Sequence, residues 1–298
     1  AALWSMVRDG ELAVRAFIEA LERLGESFRE VGTYQMVMTQ SSHAIARYAA
    51  PADRLPLRLL LASVLRRHVR DLEPGGDRQR IAARLVGLVA RDDADVARDL
   101  AADLAPESRD DAAPGLVVDA EMQWLVLQAR AATGQVQREE LDAVLAEHRT
   151  AQTVVWHTVA VHARQDARVK EAAFTAALTG TDADGAALSN DLLSATAEGF
   201  SLGSRELTQP YDLRLFDELE QIWSSRSNGL ASRTIVGLFP GHQDALPSES
   251  EAQDQHPVLA AAQSWLDEHV DAPAALRRVM IEETDGLRRS LRVQALQH

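Results

Sequence analysis

The sequence predicts an all-α fold, an α-solenoid built from stacked pairs of short antiparallel helices. The composition is rich in helix-forming Ala, Leu, Arg and Glu, and only 5% of the residues are aromatic. Apolar residues recur at three- and four-residue spacing in segments of about 10 to 20 residues, which is a usual helix length. The links between these segments are short, and short links join helices that pack antiparallel. No tetratricopeptide or ankyrin signature is present, so the stacking is inferred from the links alone.

Proline and glycine residues set many of the predicted helix boundaries. Pro51 is predicted to close the second helix, and Pro74-Gly75-Gly76 to end the third. The polar stretch 241–255 is predicted to be a loop that is disordered or tolerates insertions. Helices are predicted, in chain order, at 11–24, 28–48, 57–72, 80–91, 94–104, 119–133, 138–147, 150–163, 167–178, 188–200, 210–223, 230–238, 257–269, 273–283 and 286–298.

The densest apolar segment runs from Gln209 to Pro240. Pro210 suits a helix start, because its missing N–H would have no partner there, and Pro240 prevents a second helix from continuing. The first of these two helices carries a wide apolar stripe. The segment is therefore predicted to be a helical hairpin packed on more than one side. Its predicted core residues are Leu215, Phe216, Leu219, Ile222 and Trp223.

Charge and composition argue against several classes of function. A net charge of −14 disfavours sequence-independent binding to nucleic acid and binding to an anionic membrane. The absence of cysteine excludes a disulfide framework and a thiolate nucleophile. No apolar run approaches the roughly 20 residues of a membrane span, and the amino end lacks a signal pattern. A cytoplasmic protein is expected. The start, without Met and within helical sequence, suggests a fragment of a longer chain.

One stretch matches the G-x-S-x-G motif of serine hydrolases, Gly199-Phe200-Ser201-Leu202-Gly203. In those enzymes a strand delivers the serine onto a strained turn that leads into a helix. The preceding residues, 189–198, have a helical pattern instead. A helix end at Gly199 followed by a loop is therefore favoured over a nucleophile, and a serine hydrolase using Ser201 is the third hypothesis for function.

The nine histidines do not form a zinc motif. A helical zinc pair needs two histidines four residues apart, with a glutamate directly after the first. His157 and His162 are five residues apart, and His148 lies on the preceding predicted helix. We predict no metal site in this chain and expect these histidines at surface or partly packed positions.

Two charged clusters are expected to have structural roles. The acidic run around Ala94 lacks the ligand spacing of a calcium loop, and its carboxylates are expected to cap the helix that begins there. The arginines near the carboxyl end would suit docking of a carboxylate or an acidic surface. Pairing with Glu282, Glu283 and Asp285 is favoured for them. The clusters are Asp92, Asp93 and Asp95, and Arg277, Arg278, Arg288, Arg289 and Arg292.

The segment 209–240 also carries a resemblance to a known family. Its pattern, P-Y-x-x-R-x-F-x-x-L-x-x-x-W-x-x-R followed by G-L-F-P, is similar to the carboxyl-terminal domain of the aminopeptidase N family of zinc metallopeptidases, especially its actinobacterial members. The similarity recurs over nearly the whole chain, but only helical character is shared between about 13 and 116. Departures include Phe174, where the family usually has Trp, and the segments 225–232 and 241–255. The pattern is formed by Pro210, Tyr211, Arg214, Phe216, Leu219, Trp223 and Arg226.

The resemblance implies one helical domain over 1–298, a superhelix like HEAT or armadillo repeats, within a longer enzyme. The zinc-binding H-E-x-x-H and the G-x-M-E-N segment would lie upstream, since neither occurs here. The parent would be a zinc aminopeptidase that releases amino-terminal residues from peptides. This chain would be its non-catalytic lid, inactive alone and without a cofactor, which covers the active site and limits or guides peptide access. Its implied partners are the catalytic domain of the same polypeptide and the peptide substrate.

Four side chains are candidates for contact with the distal end of a peptide. Arg164, Arg214 and Arg226 lie near helix ends or at polar edges of apolar stripes, and Tyr211 lies in the same segment as the last two. An arginine facing a water-poor cavity can pair bidentately with a carboxylate. Structural pairing is the favoured interpretation for each arginine. The alternative function for the chain is a free-standing α-solenoid scaffold that binds protein partners.

Overall fold

The computed structural model describes residues 2–247 and 250–297, and it is all-α over that range. These residues form seventeen α-helices and three short 3-10 helices. Their one β-like contact is an isolated antiparallel bridge between Thr181 and Ala187. The predicted all-α, solenoid-like fold class is confirmed, because helices pack against near neighbours in the chain.

The chain divides into two compact units, one of residues 1–129, 242–253 and 289–298, and one of residues 130–241 and 254–288. The single domain expected over 1–298 stays a prediction. The first unit begins with seven helices: α1 (Ala2–Arg8), α2 (Val14–Leu24), α3 (Val31–Tyr48), α4 (Pro51–Asp71), α5 (Asp77–Ala90), α6 (Ala94–Asp103) and α7 (Arg109–Ala112).

The core of the first unit is formed by packing among these consecutive helices. Helix α4 contacts α2, α3 and α5, and α5 also contacts α3 and α6. Most of the buried side chains are aliphatic. Two buried polar side chains form a hydrogen bond with each other, since the Tyr34 hydroxyl lies 2.9 Å from Nδ1 of His68.

The remaining helices belong wholly or partly to the second unit. Helix α8 (Ala120–Ala132) is divided between the units after Ala129, and α17 (Ala274–Ala295) after Arg288. Between them lie α9 (Arg138–Glu147), α10 (Ala151–Ala163), α11 (Ala167–Thr179), α12 (Asn190–Ser201), α13 (Arg205–Thr208), α14 (Arg214–Ser224), α15 (Asn228–Leu238) and α16 (Pro257–Glu268).

The second unit is held together by α10, α11, α12 and α15. Helix α12 packs against the other three, and α14 packs against α15 and α16. Phe216, Leu219 and Trp223 of α14 are buried, as the apolar stripe predicts. The hairpin expected between Pro210 and Pro240 is therefore confirmed, although a 3-10 helix at Gln209–Tyr211 precedes α14.

Polar side chains fix several helix starts. Asp93 accepts hydrogen bonds from the amides of Asp95 and Val96 at the start of α6, which confirms the predicted cap. Thr150 and Thr153 form a reciprocal capping box on α10. Asp166 caps α11 in the same way as Asp93 caps α6.

Several predicted helix starts differ from the observed ones by two to four residues, and two predictions were wrong by more than that. Helix α4 starts at Pro51, six residues before the predicted start at Leu57, because proline fits the first helical position. Its second proline, Pro56, lies inside the helix, where it removes one intrahelical hydrogen bond. The predicted break before Gly286 does not occur, and α17 is continuous. Glycine costs about 1 kcal/mol inside a helix, and the full burial of Leu287 in the following turn outweighs that cost.

The polar stretch 241–255 is partly ordered by one side chain. Gln253 is fully buried, accepts a hydrogen bond from the amide of Leu246 (2.7 Å) and donates one to its carbonyl oxygen (3.0 Å). Residues 250–255 form a 3-10 helix. Ser248 and Glu249, which belong to the predicted loop, lie outside the described residues.

Candidate functional site

Two of the four candidate residues, Tyr211 and Arg214, come together on an aromatic cluster in the second unit. The ring of Tyr211 lies 4.8 Å from that of Phe174 on α11 and 5.5 Å from that of Phe200 on α12. The guanidinium carbon of Arg214 lies 5.2 Å from the ring centres of both Phe174 and Tyr211. We call Phe174, Phe200, Tyr211 and Arg214 the Tyr211–Arg214 cluster.

The cluster presents a positively charged group on an apolar base. Phe174 and Phe200 are buried, Tyr211 is half-buried and Arg214 is exposed. Arg214 forms no ion pair with any residue that the structure describes. Contact with two aromatic rings stabilises the cation without consuming its N–H donors. Arg214 can therefore donate two parallel hydrogen bonds to a planar carboxylate.

The electrostatic surroundings keep the Tyr211 hydroxyl protonated. Burial raises the pKa of Tyr211, the negative charge of Glu171 raises it further, and Arg214 opposes the change. A neutral phenol beside a fixed cation can donate a hydrogen bond to an anion. The cluster is thus suited chemically to a carboxylate group.

Arg226 has a structural position at the carboxyl end of α11. Its guanidinium donates to the carbonyl oxygens of Leu178 (2.5 Å) and Ala177 (3.5 Å), and to the hydroxyl of Thr234 (2.8 Å). Burial lowers its pKa. These contacts match the structural alternative considered for this residue, and substrate contact by Arg226 stays a prediction.

Arg164 lies at the opposite end of α11. It follows the last residue of α10, is half-buried, and its Nε donates to the carbonyl oxygen of Val161 at 3.2 Å. Helix α11 has 13 residues, which correspond to about 20 Å. Arg164 and Arg226 therefore border different ends of one helix and do not converge on one carboxylate.

Lys170 is a functional candidate that the sequence pattern did not identify. It is the only lysine of the chain, and it is fully buried on α11. Its Nζ donates to the carbonyl oxygens of His162 (2.9 Å), Gly199 (2.8 Å) and Leu202 (2.7 Å). The available signal was its spacing, since Lys170 lies three and four residues before the buried Ala173 and Phe174.

The Lys170 ammonium binds the carboxyl ends of two helices. His162 is near the end of α10, and Gly199 and Leu202 are at the end of α12. The last carbonyl groups of a helix lack intrahelical partners and carry partial negative charge. Burial lowers the pKa of Lys170 to about 7.

His157 and His162 pack within the second unit and His148 is exposed, which agrees with the surface or partly packed positions expected for them. His157 Nε2 lies 2.7 Å from Oδ1 of Asp142, and burial lowers the pKa of His157 while Asp142 raises it. Burial and, to a smaller extent, the positive charge of Lys170 lower the pKa of His162 to about 4. Its Nδ1 has no hydrogen-bond partner among the described residues. A neutral imidazole is the form that this site accommodates.

Ser201 lies in the last turn of α12 and not on a strand-to-helix elbow. Its hydroxyl donates to the carbonyl oxygen of Glu198 at 2.8 Å. Gly199 allows α10 and α12 to approach, and Gly203 has a φ of +88°, which favours glycine. Both glycines of the motif therefore have structural explanations. The expected helix end near Gly199 is confirmed, two residues later than predicted.

The arginines near the carboxyl end are largely paired within the protein. Arg288 contacts Asp285 (2.7 Å) and Asp254 (3.1 Å), and Arg278 lies 3.6 Å from Glu282. Arg277 instead donates to the carbonyl oxygens of Leu266 and His269, at the end of α16. Structural pairing was the favoured interpretation of this cluster.

Within 2–247 and 250–297, no group of three or more His, Asp or Glu side chains is arranged to hold a metal ion. Across the same residues, every helix is too short or too polar to cross a membrane.

Comparison with known proteins identifies the family of the chain. A model of the ERAP1-like C-terminal domain family matches residues 1–289. The chain belongs to this family. Aminopeptidase N of Streptomyces lividans is 33% identical to it over 297 residues, which are 99% of this chain and 32% of that protein. The chain thus spans about a third of the length of this curated relative. The resemblance found in the sequence to the carboxyl-terminal domain of aminopeptidase N is confirmed.

Proposed function

We propose that this chain is the non-catalytic C-terminal helical domain of a zinc aminopeptidase that removes amino-terminal residues from peptides. In this role it covers the active site of the parent enzyme and limits or guides peptide access. The observation that carries the proposal is the end-to-end match of the chain to about a third of an aminopeptidase N. Catalytic residues and zinc would belong to the remainder of the polypeptide.

The described residues supply no zinc ligand set, so the proposal assigns no chemical step to this chain. Its contribution is a rigid wall of helices and a place to bind the peptide. The Tyr211–Arg214 cluster supports a substrate contact, because Arg214 offers unpaired donors beside a neutral phenol. The partners are the catalytic domain of the same polypeptide and the peptide. The cytoplasmic location expected from the sequence remains a prediction.

A free-standing scaffold that binds protein partners is the alternative function. Helical solenoids often present extended surfaces to other proteins. The reading frame upstream of Ala1 separates the two functions directly. An upstream H-E-x-x-H with a distal Glu supports the aminopeptidase, whereas its absence supports the scaffold.

Activity measurements test the proposal on three polypeptides. They are this chain, the longer protein that contains it, and a form of the longer protein that ends before Ala1 and therefore lacks this chain. We expect chelator-sensitive hydrolysis of amino-acid anilides by the longer protein and none by this chain. We expect the truncated form to lose discrimination among peptides of increasing length. Chelator-sensitive cleavage by this chain alone would contradict the proposal, and so would unchanged length discrimination after truncation.

A further inference from the structure

The buried ammonium of Lys170 donates hydrogen bonds to backbone carbonyl groups that flank Phe200 in the sequence. Phe200 belongs to the candidate site. Gly199 and Leu202, whose carbonyl oxygens accept from Nζ, are one residue before and two residues after Phe200. Phe200 lies 5.5 Å from the ring of Tyr211, nearly perpendicular to it. Phe174, the other ring under Tyr211, is one turn after Lys170 on α11.

The number of acceptors matches one protonation state of the amine. An ammonium group has three N–H donors, and Lys170 has three carbonyl acceptors. A neutral amine has two donors and a lone pair, so one carbonyl oxygen would lose its hydrogen bond. No carboxylate among the described residues pairs with Nζ to hold the proton, and burial brings the pKa of Lys170 to about 7.

We propose that Lys170 is a positioning residue for the Tyr211–Arg214 cluster, in which its protonated side chain holds the end of α12 so that Phe200 supports Tyr211. Loss of the proton releases one helix-end carbonyl and loosens this support. The cluster then responds to pH near neutrality. The relevance to peptide binding depends on the proposed function, but the coupling between Lys170 and Tyr211 does not.

Neighbouring groups do not account for such a response. His162 interacts electrostatically with Lys170, and its pKa of about 4 places its titration well below neutrality. Burial lowers the pKa of His157, the other histidine of α10. Arginine and carboxylate side chains also lie on the surrounding elements. They are Asp166 and Glu171 on α11, Glu198 on α12, Arg205 and Glu206 on α13, Asp212, Arg214 and Glu218 around the start of α14, and Arg233 on α15.

Two selective NMR labels test the coupling in the chain 1–298 without any peptide. Carbon-13 at Cε of lysine gives one signal, because Lys170 is the only lysine, and ring-labelled tyrosine gives signals from three residues. We expect the lysine signal to titrate with a midpoint near pH 7. The Tyr211 signal, assigned with Tyr211→Phe, should shift with the same midpoint. Tyr34 and Tyr48 of the first unit serve as internal controls.

Two variants separate the role of the proton from that of the side chain. Lys170→Arg keeps a permanent charge, and Lys170→Met removes it. Both should abolish the pH-dependent shift of Tyr211 and leave Tyr34 and Tyr48 unchanged. If Lys170 titrates above pH 9 in the unaltered chain, or titrates near 7 while Tyr211 stays constant, the proposal is wrong. Both of those outcomes come from the unaltered chain, so a folding defect in a variant does not obscure them. Neither involves peptide hydrolysis, so they are distinct from a failure of the proposed function.

Discussion

Arg226 and Leu178 are 48 positions apart in the chain, yet the guanidinium of one donates to the carbonyl oxygen of the other at 2.5 Å. The same arrangement recurs in this fold. Lys170 binds carbonyl oxygens at the ends of α10 and α12, and Arg277 binds those at the end of α16. Short links leave little chain with which a helix can satisfy its own last carbonyl groups. Cations from other parts of the chain satisfy them, and this stabilises the packing of the helices.

Replacement of Arg226 by alanine is expected to destabilise the protein by about 1.5 to 3 kcal/mol, the range for hydrogen bonds to a charged group. Arg226→Lys should recover only part of the loss, because an ammonium cannot reproduce the planar fork of a guanidinium. Urea unfolding followed by circular dichroism measures both variants. The matched control is Arg233→Ala on α15, where the exposed guanidinium has one long contact of 3.5 Å to Ser194. Equal losses for Arg226→Ala and Arg233→Ala would contradict the structural role.

The helices were predictable because their signal is local. The stripe that includes Phe216, Leu219 and Trp223 has the helical period, and burial of those residues follows from it. The errors at Pro51 and Gly286 have different origins. Proline disfavours a helix interior by about 3 kcal/mol but fits the first helical position, which Pro51 occupies. Glycine costs only about 1 kcal/mol in a helix interior, and burial of Leu287 outweighs that cost.

The candidate site was only partly predictable for the same reason. Tyr211 and Arg214 are three residues apart and were selected together. Phe174 and Phe200, which support them, come from two other helices. The position of Lys170 depends on the ends of α10 and α12. Side-chain spacing within one helix carries no information about such partners.

Gly199 and Gly229 provide a matched pair for testing helix packing. A Cβ at Gly199 would lie 2.6 Å from the carbonyl oxygen of Val159, whereas one at Gly229 meets nothing within 4 Å. Gly199→Ala is expected to destabilise by about 1 to 3 kcal/mol through overpacking between α10 and α12. Gly229→Ala, in the first turn of α15, should be neutral or stabilising by up to about 1 kcal/mol. Thermal and urea unfolding give both values, and destabilisation of the same size in the two variants would refute the close approach.

His162 is expected to contribute to acid sensitivity. Its pKa is about 4 in the folded protein, against 6.5 for the ordinary side chain. Between these values the unfolded chain binds the proton and the folded chain does not, so the free energy of unfolding falls as pH falls from 6.5 to 4. The contribution of one such group has a slope of at most about 1.4 kcal/mol per pH unit.

The comparison of His162→Asn with the unaltered chain isolates this contribution. The stability difference between them should decrease on acidification from pH 7 to pH 4, because only the unaltered chain carries the buried imidazole. His148→Asn is the control, since that side chain is exposed. Urea unfolding at several pH values measures the differences. If the free energies of unfolding of His162→Asn and the unaltered chain vary in parallel with pH, His162 accepts a proton in the folded state.

Under the proposed function, Arg214 is expected to select peptides by their carboxylate in the proposed parent aminopeptidase. Its guanidinium lies over two rings and pairs with no described acidic residue, so a peptide carboxylate would meet unused donors. In Arg214→Ala, the ratio of kcat/KM for a free-acid peptide to that for its amidated form should fall by about tenfold, which corresponds to about 1.4 kcal/mol. The ratio for Arg214→Lys should lie between those of the unaltered protein and Arg214→Ala, because lysine keeps the charge but not the bidentate geometry. The matched control is Arg168→Ala, because Arg168 is an exposed arginine at the start of α11. If the ratio is the same in all four proteins, the carboxylate binds elsewhere, and the Tyr211–Arg214 cluster serves only to pack α11, α12 and α14 together.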